Sequence, residues 1–135
     1  MLKAAMYVLD TNTLIYFFKG IGSVSNFLLK TPPNSIGIPT VVLYELEVGI
    51  AKSASPEKRI SQLKALTSIV NILPFGIDEV RCAAAIRAKL EKNASPIGPY
   101  DVLIAGTALS NKGVLVTHNT KEFERIEGLQ LEDWF

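Results

Sequence analysis

Four oxygen-bearing side chains carry the chemistry available to this chain: Asp10, Glu45, Asp101 and Asn119. Asp10 closes the apolar run Tyr7-Val8-Leu9 and is followed at once by Thr11-Asn12-Thr13 and a second apolar stretch. A charge at that junction suggests a carboxylate at the mouth of a sheet, where α/β proteins place their chemistry. On a helix from Thr40, Val42, Leu46, Gly49 and Ile50 form the inward stripe. Glu45 lies at about 60° from Val42, at the edge of that stripe, whereas Glu47 turns towards solvent. Asp101 shares a helix face with Ile104, Ala105 and Ala108 in its first turn, which is equally the place of an N-cap. Asn119 stands two residues beyond the expected strand Val114 to Thr117 and three residues before Glu122, a spacing that also suits a capping box.

Together these residues make an oxygen-rich pocket at the C-terminal edge of a parallel sheet. Three carboxylates in one cleft repel, and their pKa values rise. A hard divalent cation resolves this, because Mg²⁺ or Mn²⁺ prefers carboxylate and water ligands. No His/Cys cluster suggests zinc, and strand alternation turns the sole histidine, His118, away as a structural or surface residue. A carboxylate-held cation polarises phosphoryl oxygens and activates water, so phosphodiester hydrolysis is the natural reaction. Neither a G-x-x-x-x-G-K-[ST] loop nor a G-x-G-x-x-G fingerprint is present.

The elements that must position this set follow from local pattern. Strands are expected at Met6 to Leu9, Ser35 to Ile38, Ile69 to Leu73, Val114 to Thr117 and Leu129 to Leu131. Helices are expected at Thr13 to Lys19, Val24 to Lys30, Thr40 to Lys52, Ser55 to Ser68, Asp78 to Lys92, Asp101 to Lys112 and Lys121 to Arg125. Gly20 and Gly113 end two of them. Thr40 and the hydroxyl of Ser55-Pro56-Glu57 are read as helix starts. Ala94 to Pro99 is a stiff loop. Short strands alternating with helices predict an α/β fold with a parallel sheet covered on both faces.

Bulk properties narrow the class. With 135 residues, 48% of them hydrophobic and 20% charged, one globular domain spanning 1–135 is expected. A formal charge of +1 gives no broad attraction for nucleic acid, so any basic surface must be local. Lone Cys82 cannot form an internal disulfide and reads as helix packing. The segment Met1 to Met6 does not resemble a signal peptide, and no apolar run approaches the roughly 20 residues that cross a bilayer. A soluble cytoplasmic protein, with no membrane partner, is expected.

Four motifs then occur in a fixed order: Leu9-Asp10-Thr11-Asn12, Tyr44 to Gly49, Pro99 to Ala105 and Val116 to Phe123. This order resembles PIN-domain ribonucleases, and nearly the whole chain is similar to VapC toxins of bacterial toxin–antitoxin pairs. Pro96-Ile97-Gly98-Pro99-Tyr100-Asp101 and the ending from Glu122 to Trp134 resemble the subgroup that cuts initiator tRNA. The resemblance implies a PIN-like three-layer fold and a Mg²⁺- or Mn²⁺-dependent endoribonuclease. In it, water attacks phosphorus to leave a 5′-phosphate and a 3′-hydroxyl. By the same resemblance Asp10, Glu45 and Asp101 match the metal-binding acids. Asn119 matches a fourth catalytic position that is Asp in many relatives. An amide is a weaker metal ligand, and Glu122 is placed to supply the missing charge, directly or through water. Thr11, Asn12 and Thr117 match polar residues that line the substrate site. A VapB-type antitoxin is the implied inhibitor, and a homodimer the implied assembly. Candidate RNA-phosphate contacts are Lys52, Lys58 and Arg59, or Arg81, Arg87 and Lys89, although solvated helix faces explain both clusters equally well.

Other readings meet obstacles. A phosphatase of the haloacid-dehalogenase type needs a second acid two residues after Asp10, where Asn12 stands. A receiver-like signalling module needs an acid pair near the first strand, and Glu45 and Asp101 on helix faces fit it poorly. A PIN scaffold that binds RNA without cutting it is at odds with the intact acid set.

Overall fold

A computed structural model describes residues 5–135; the expectation about the leading segment falls mostly on residues outside that range. Five short strands form one parallel sheet, β1 (Tyr7–Leu9), β2 (Ile36–Pro39), β3 (Asn71–Leu73), β4 (Val114–Val116) and β5 (Gln130–Glu132), in the order β3-β2-β1-β4-β5. Seven helices connect and cover them: α1 (Thr11–Lys19), α2 (Val24–Lys30), α3 (Thr40–Lys52), α4 (Glu57–Thr67), α5 (Ile77–Lys92), α6 (Pro99–Ser110) and α7 (Thr120–Phe123). A 3-10 turn, Pro33–Ser35, leads into β2. The expected parallel α/β architecture is what forms.

The sheet centre is apolar throughout, as a sheet covered on both faces requires. Val8, Leu9, Ile38, Leu115 and Val116 are completely buried, and Leu14, Val42, Ile104 and Ala105 seal them from the helical layers. Each large aliphatic side chain so buried contributes roughly 1.5–3 kcal/mol. On one side α5 and α6 pack closely. A Cβ on Gly106 would lie 2.7 Å from Ala83 Cβ, so hydrogen at that position lets the two backbones approach. At the β5 edge, Trp134 is buried between Tyr7 and the stacked ring of Phe27, with centroids at 5.4 and 5.5 Å.

Most boundaries shift by a residue or two, and the shifts have local causes. Helix α1 begins at Thr11, because Asp10 itself caps it by accepting the Thr13 N–H at 2.9 Å. Gly20 closes it in the left-handed region at φ 68°, its N–H reaching back to Phe17 and Tyr16. Thr40 is the first residue of α3, and its side chain caps nothing. Ser55 does not cap α4 either; Pro56 occupies that place and Glu57 opens the helix. Helix α5 starts at Ile77, with the Glu79 carboxylate accepting the Gly76 N–H at 2.8 Å. Asp101 lies inside the first turn of α6 and not at its cap, which is Gly98. Strand β3 is shorter than expected, and β5 lies one residue later. Cys82 sits half-buried on α5 as a free thiol.

Candidate active site

The C-terminal ends of the three central strands gather the site. The register pairs Tyr7 with both Ile36 and Val114, so β1, β2 and β4 end at one level. From that edge Asp10 follows β1, Thr117 follows β4, and α3, which carries Glu45, starts directly after β2. The stiff loop before α6 delivers Asp101 to the same edge.

Asp10 is only 6% exposed. Burial pushes its carboxyl above the ordinary value, the Thr117 and Thr13 hydroxyls and the Thr13 N–H hold it down, and the charge of Asp133 raises it again. Its neighbourhood is welded to β4: the Asp10 N–H donates to Val116 O at 3.2 Å, and the Thr13 hydroxyl donates to the same carbonyl at 3.1 Å. Thr117 is completely buried, and its hydroxyl accepts the Asn119 N–H at 3.0 Å while bonding Asp10. A residue expected to touch substrate thus instead positions the acid.

Glu45 is half-buried and Glu47 exposed, as the helix geometry demands. The Thr11 hydroxyl donates to Glu45 Oε1 at 2.6 Å, so the polar residue after Asp10 orients the second acid. Asn12 is exposed beside them.

Asp101 has the most perturbed acidity. Burial, then the charge of Glu122 and a hydrogen bond with it, then the charges of Asp10 and Glu45, raise its pKa to about 7. Burial would also raise Glu122, but the Gly98 N–H, the Asn119 amide, Asp101 itself and the charge of Arg125 outweigh it and pull that carboxyl down. The Gly98 N–H reaches Glu122 Oε1 at 3.0 Å, and Asn119 Nδ2 reaches Oε2 at 2.5 Å. Asn119 stands at the cap position of α7 without capping it, so the expected capping box does not form; its amide serves Glu122 instead. Gly98 supplies room as well as a donor, since a Cβ there would stand 3.3 Å from Asp101 Oδ2.

Asp10, Glu45 and Asp101 therefore share one electrostatic environment, with Glu122 as a fourth carboxylate against Asp101. Among the described residues none of the four forms a salt bridge. Repelling carboxylates, one held half-protonated near neutrality, suit a hard divalent cation. Each acid is held by its own local partners, and among the described residues no three His, Cys, Asp or Glu side chains close into a ready-made cage. The sequence reading missed the Gly98 N–H, whose signal was its place one residue before Pro99 at a helix start. His118 stays outside: it is exposed, its Nδ1 lies 2.9 Å from Asp133 Oδ2, and its ring stacks on Phe135 at 4.2 Å.

Comparison with known proteins agrees with this geometry. The PIN domain family matches residues 7–129. The tRNA(fMet)-specific endonuclease VapC of Salmonella typhimurium is 35% identical, over 95% of this chain and 97% of its own. Ribonuclease VapC2 of Rickettsia felis is 38% identical, over 96% and 98%. Among solved structures, the DNA-bound VapBC of Salmonella typhimurium superposes with a TM-score of 0.90 at 34% identity, covering 97% of this chain and 99% of that one. VapBC2 of Rickettsia felis, bound to a promoter DNA fragment, gives 0.88 at 37%, covering 96% and 99%. With its acids at the sheet edge and this likeness along nearly all its length, the chain belongs to the PIN-domain family, among the VapC ribonucleases.

Proposed function

We propose that this protein is the toxin of a toxin–antitoxin pair and hydrolyses RNA phosphodiester bonds with Mg²⁺ or Mn²⁺, cutting initiator tRNA in its anticodon stem-loop. The observation that carries the metal dependence is the meeting of Asp10, Glu45 and Asp101 without a basic partner among the described residues. These three would hold the cation. When bound, it polarises a phosphoryl oxygen and lowers the pKa of water. The chain's own groups do the rest. Thr117 and Thr13 fix the Asp10 carboxylate, and Thr11 fixes that of Glu45. Glu122, clamped by Gly98 and Asn119, is hydrogen-bonded to Asp101 and helps hold the proton on that side chain. Asn12, exposed next to Thr11, would meet substrate.

The substrate assignment rests on likeness to relatives named tRNA(fMet)-specific endonucleases. The partner assignment, a VapB-type antitoxin, rests on the VapBC complexes among the structural neighbours. A homodimer is supported by an exposed aromatic pair beside the site: Tyr44 and Tyr100 are 54% and 44% exposed with centroids 5.8 Å apart. Exposed apolar patches of this kind mark interfaces. No helix among the described residues is long and apolar enough to cross a membrane, and the cytoplasm, where tRNA is found, is the proposed compartment. The deciding experiment incubates purified protein with total tRNA and Mg²⁺ or Mn²⁺, then maps fragments. Initiator tRNA cut in its anticodon arm is the expected result. Cleavage of other RNAs with initiator tRNA spared would overturn the substrate, and no cleavage of any RNA would overturn the enzyme.

A further inference from the structure

Of the two basic clusters visible in the sequence, the structure separates one from the other. Arg87 pairs with Glu91 at 3.0 Å, and Lys89 pairs with Glu127. The charges of these two are answered within the protein, and Arg81 of the same cluster, unpaired among the described residues, stands apart from the groove that Glu45 lines. Lys58 and Arg59 lie instead at the start of α4, facing Lys19 at the end of α1, and among the described residues none of these three forms an ion pair. The three cations line one groove of about 720 Å³, which Glu45 also lines. The groove therefore begins at the acidic site and continues into positive potential. Arg59 is held over the Phe18 ring, 4.8 Å from its centroid, so its guanidinium is fixed at the wall. Gln62 is tied down in the same way, donating to Phe18 O at 3.1 Å. Lys52 is exposed but does not line the groove.

We infer that Lys19, Lys58 and Arg59 form a phosphate track that seats the RNA backbone on one flank of the scissile bond. This rests on the reading of the protein as a ribonuclease and names the residues that bind its substrate's backbone. An acidic site repels a polyanion. Cations that the protein leaves unanswered beside it offset that repulsion and hold the strand across the acids. Because the contacts are to phosphates, they add affinity without reading sequence. The near-neutral net charge is then no obstacle, since the positive potential is concentrated in one groove.

The test measures binding of unfractionated tRNA by the full chain in EDTA, from about 50 to 200 mM salt. The variant Lys19→Gln/Lys58→Gln/Arg59→Gln is expected to bind at least roughly tenfold more weakly at the low-salt end, with a slope of log affinity against log salt shallower by about 2 to 3. In RNA cleavage the loss should fall on KM rather than kcat. Lys19→Arg/Lys58→Arg/Arg59→Lys should keep the wild-type slope, which separates lost charge from a damaged fold. Arg81→Gln/Arg87→Gln/Lys89→Gln should match wild type. Wild-type binding by the first variant would overturn the track while leaving RNA cleavage by the native protein intact. Loss of binding in the Arg81 set alone would also overturn it. Weakened antitoxin binding with tRNA binding unchanged would give the groove to the antitoxin and overturn it too. Failure of the wild-type protein to cut any RNA, with the salt slopes as expected, would remove the ribonuclease reading and leave the track standing as an RNA-binding groove.

Discussion

Thr11 and Glu45 stand on different helices, α1 and α3, yet the hydroxyl of one donates to the carboxylate of the other at 2.6 Å. A hydrogen bond to a charged group is worth about 1.5–3 kcal/mol, and loss of such support around a metal site typically costs about 10- to 100-fold. Thr11→Val, which keeps the shape and removes the donor, should raise the Mg²⁺ concentration needed for cleavage by that factor while circular dichroism shows the fold retained. Cleavage assays over a Mg²⁺ series check it; Thr11→Ser should restore most of the activity.

Removing charge from the acids themselves is more severe. Asp10→Asn and Asp101→Asn should each lower RNA cleavage by about 10³-fold or more, as loss of a principal electrostatic group in a preorganised site does. Both variants should fold, as circular dichroism would show, because each replaces a carboxylate that burial disfavours with a neutral amide of the same shape. Full activity in either would refute the metal site.

Acidity gives a separate handle. Asp101 has a folded-state pKa raised to about 7, above its ordinary 3.8. Its folded form therefore takes up a proton more readily than its unfolded form. The stability it contributes is complete below pH 4 or so and is lost as pH rises through about 7. Without metal, thermal melts should show this contribution declining from pH 5 to pH 8. Metal binding requires the deprotonated form, so the stabilisation by added Mg²⁺ should grow over the same interval. Asp101→Asn should flatten both trends. Glu122 works in the opposite sense: its lowered pKa contributes stability above its unfolded value that is lost in acid.

Gly98 offers a test of geometry without charge. Its backbone, at φ −56° and ψ 148°, is open to any residue. Alanine there should stabilise the fold by about 0.4–1 kcal/mol through the unfolded chain. The new Cβ would press on Asp101 Oδ2 from 3.3 Å. Gly98→Ala is thus expected to keep or raise the melting temperature while cutting cleavage severalfold. Gly106→Ala should do the reverse. Its Cβ would fall 2.7 Å from Ala83 Cβ in the α5–α6 contact, and overpacking of this kind costs about 1–3 kcal/mol. Paired melting and cleavage measurements distinguish the two glycines.

Much of this was legible before any coordinates. Short apolar runs located the strands of the sheet, and helical periodicity placed Glu45 inward and Glu47 outward, because a helix of 13 residues leaves little freedom about which face is buried. Helix starts were read less well. Ser55, Thr40 and Asn119 have side chains that cap helices elsewhere, and here none does. Whether a hydroxyl or amide caps depends on what else competes for it, and Asn119 is claimed by Glu122. Thr117 shows the same limit. Its residue type and position are plain in the sequence, but its complete burial follows from packing of the whole sheet edge. The groove cations were recognisable only as a charge cluster, since pairing across α5 and beyond decides which positive charges remain unanswered.

The bond from the Thr13 hydroxyl to Val116 O spans 103 positions of chain. Such long-range closures are slow to form and bring their benefit only once the intervening loop has been ordered. Asp10 therefore has only its local bond from the Thr13 N–H until β4 has been made and docked, bringing Thr117 to its carboxylate. A growing polypeptide that has emerged only as far as α5 holds two of its three acids but lacks Asp101 and the strand that fixes Asp10. The complete acid set is thereby deferred to the end of folding, a delay written into strand order.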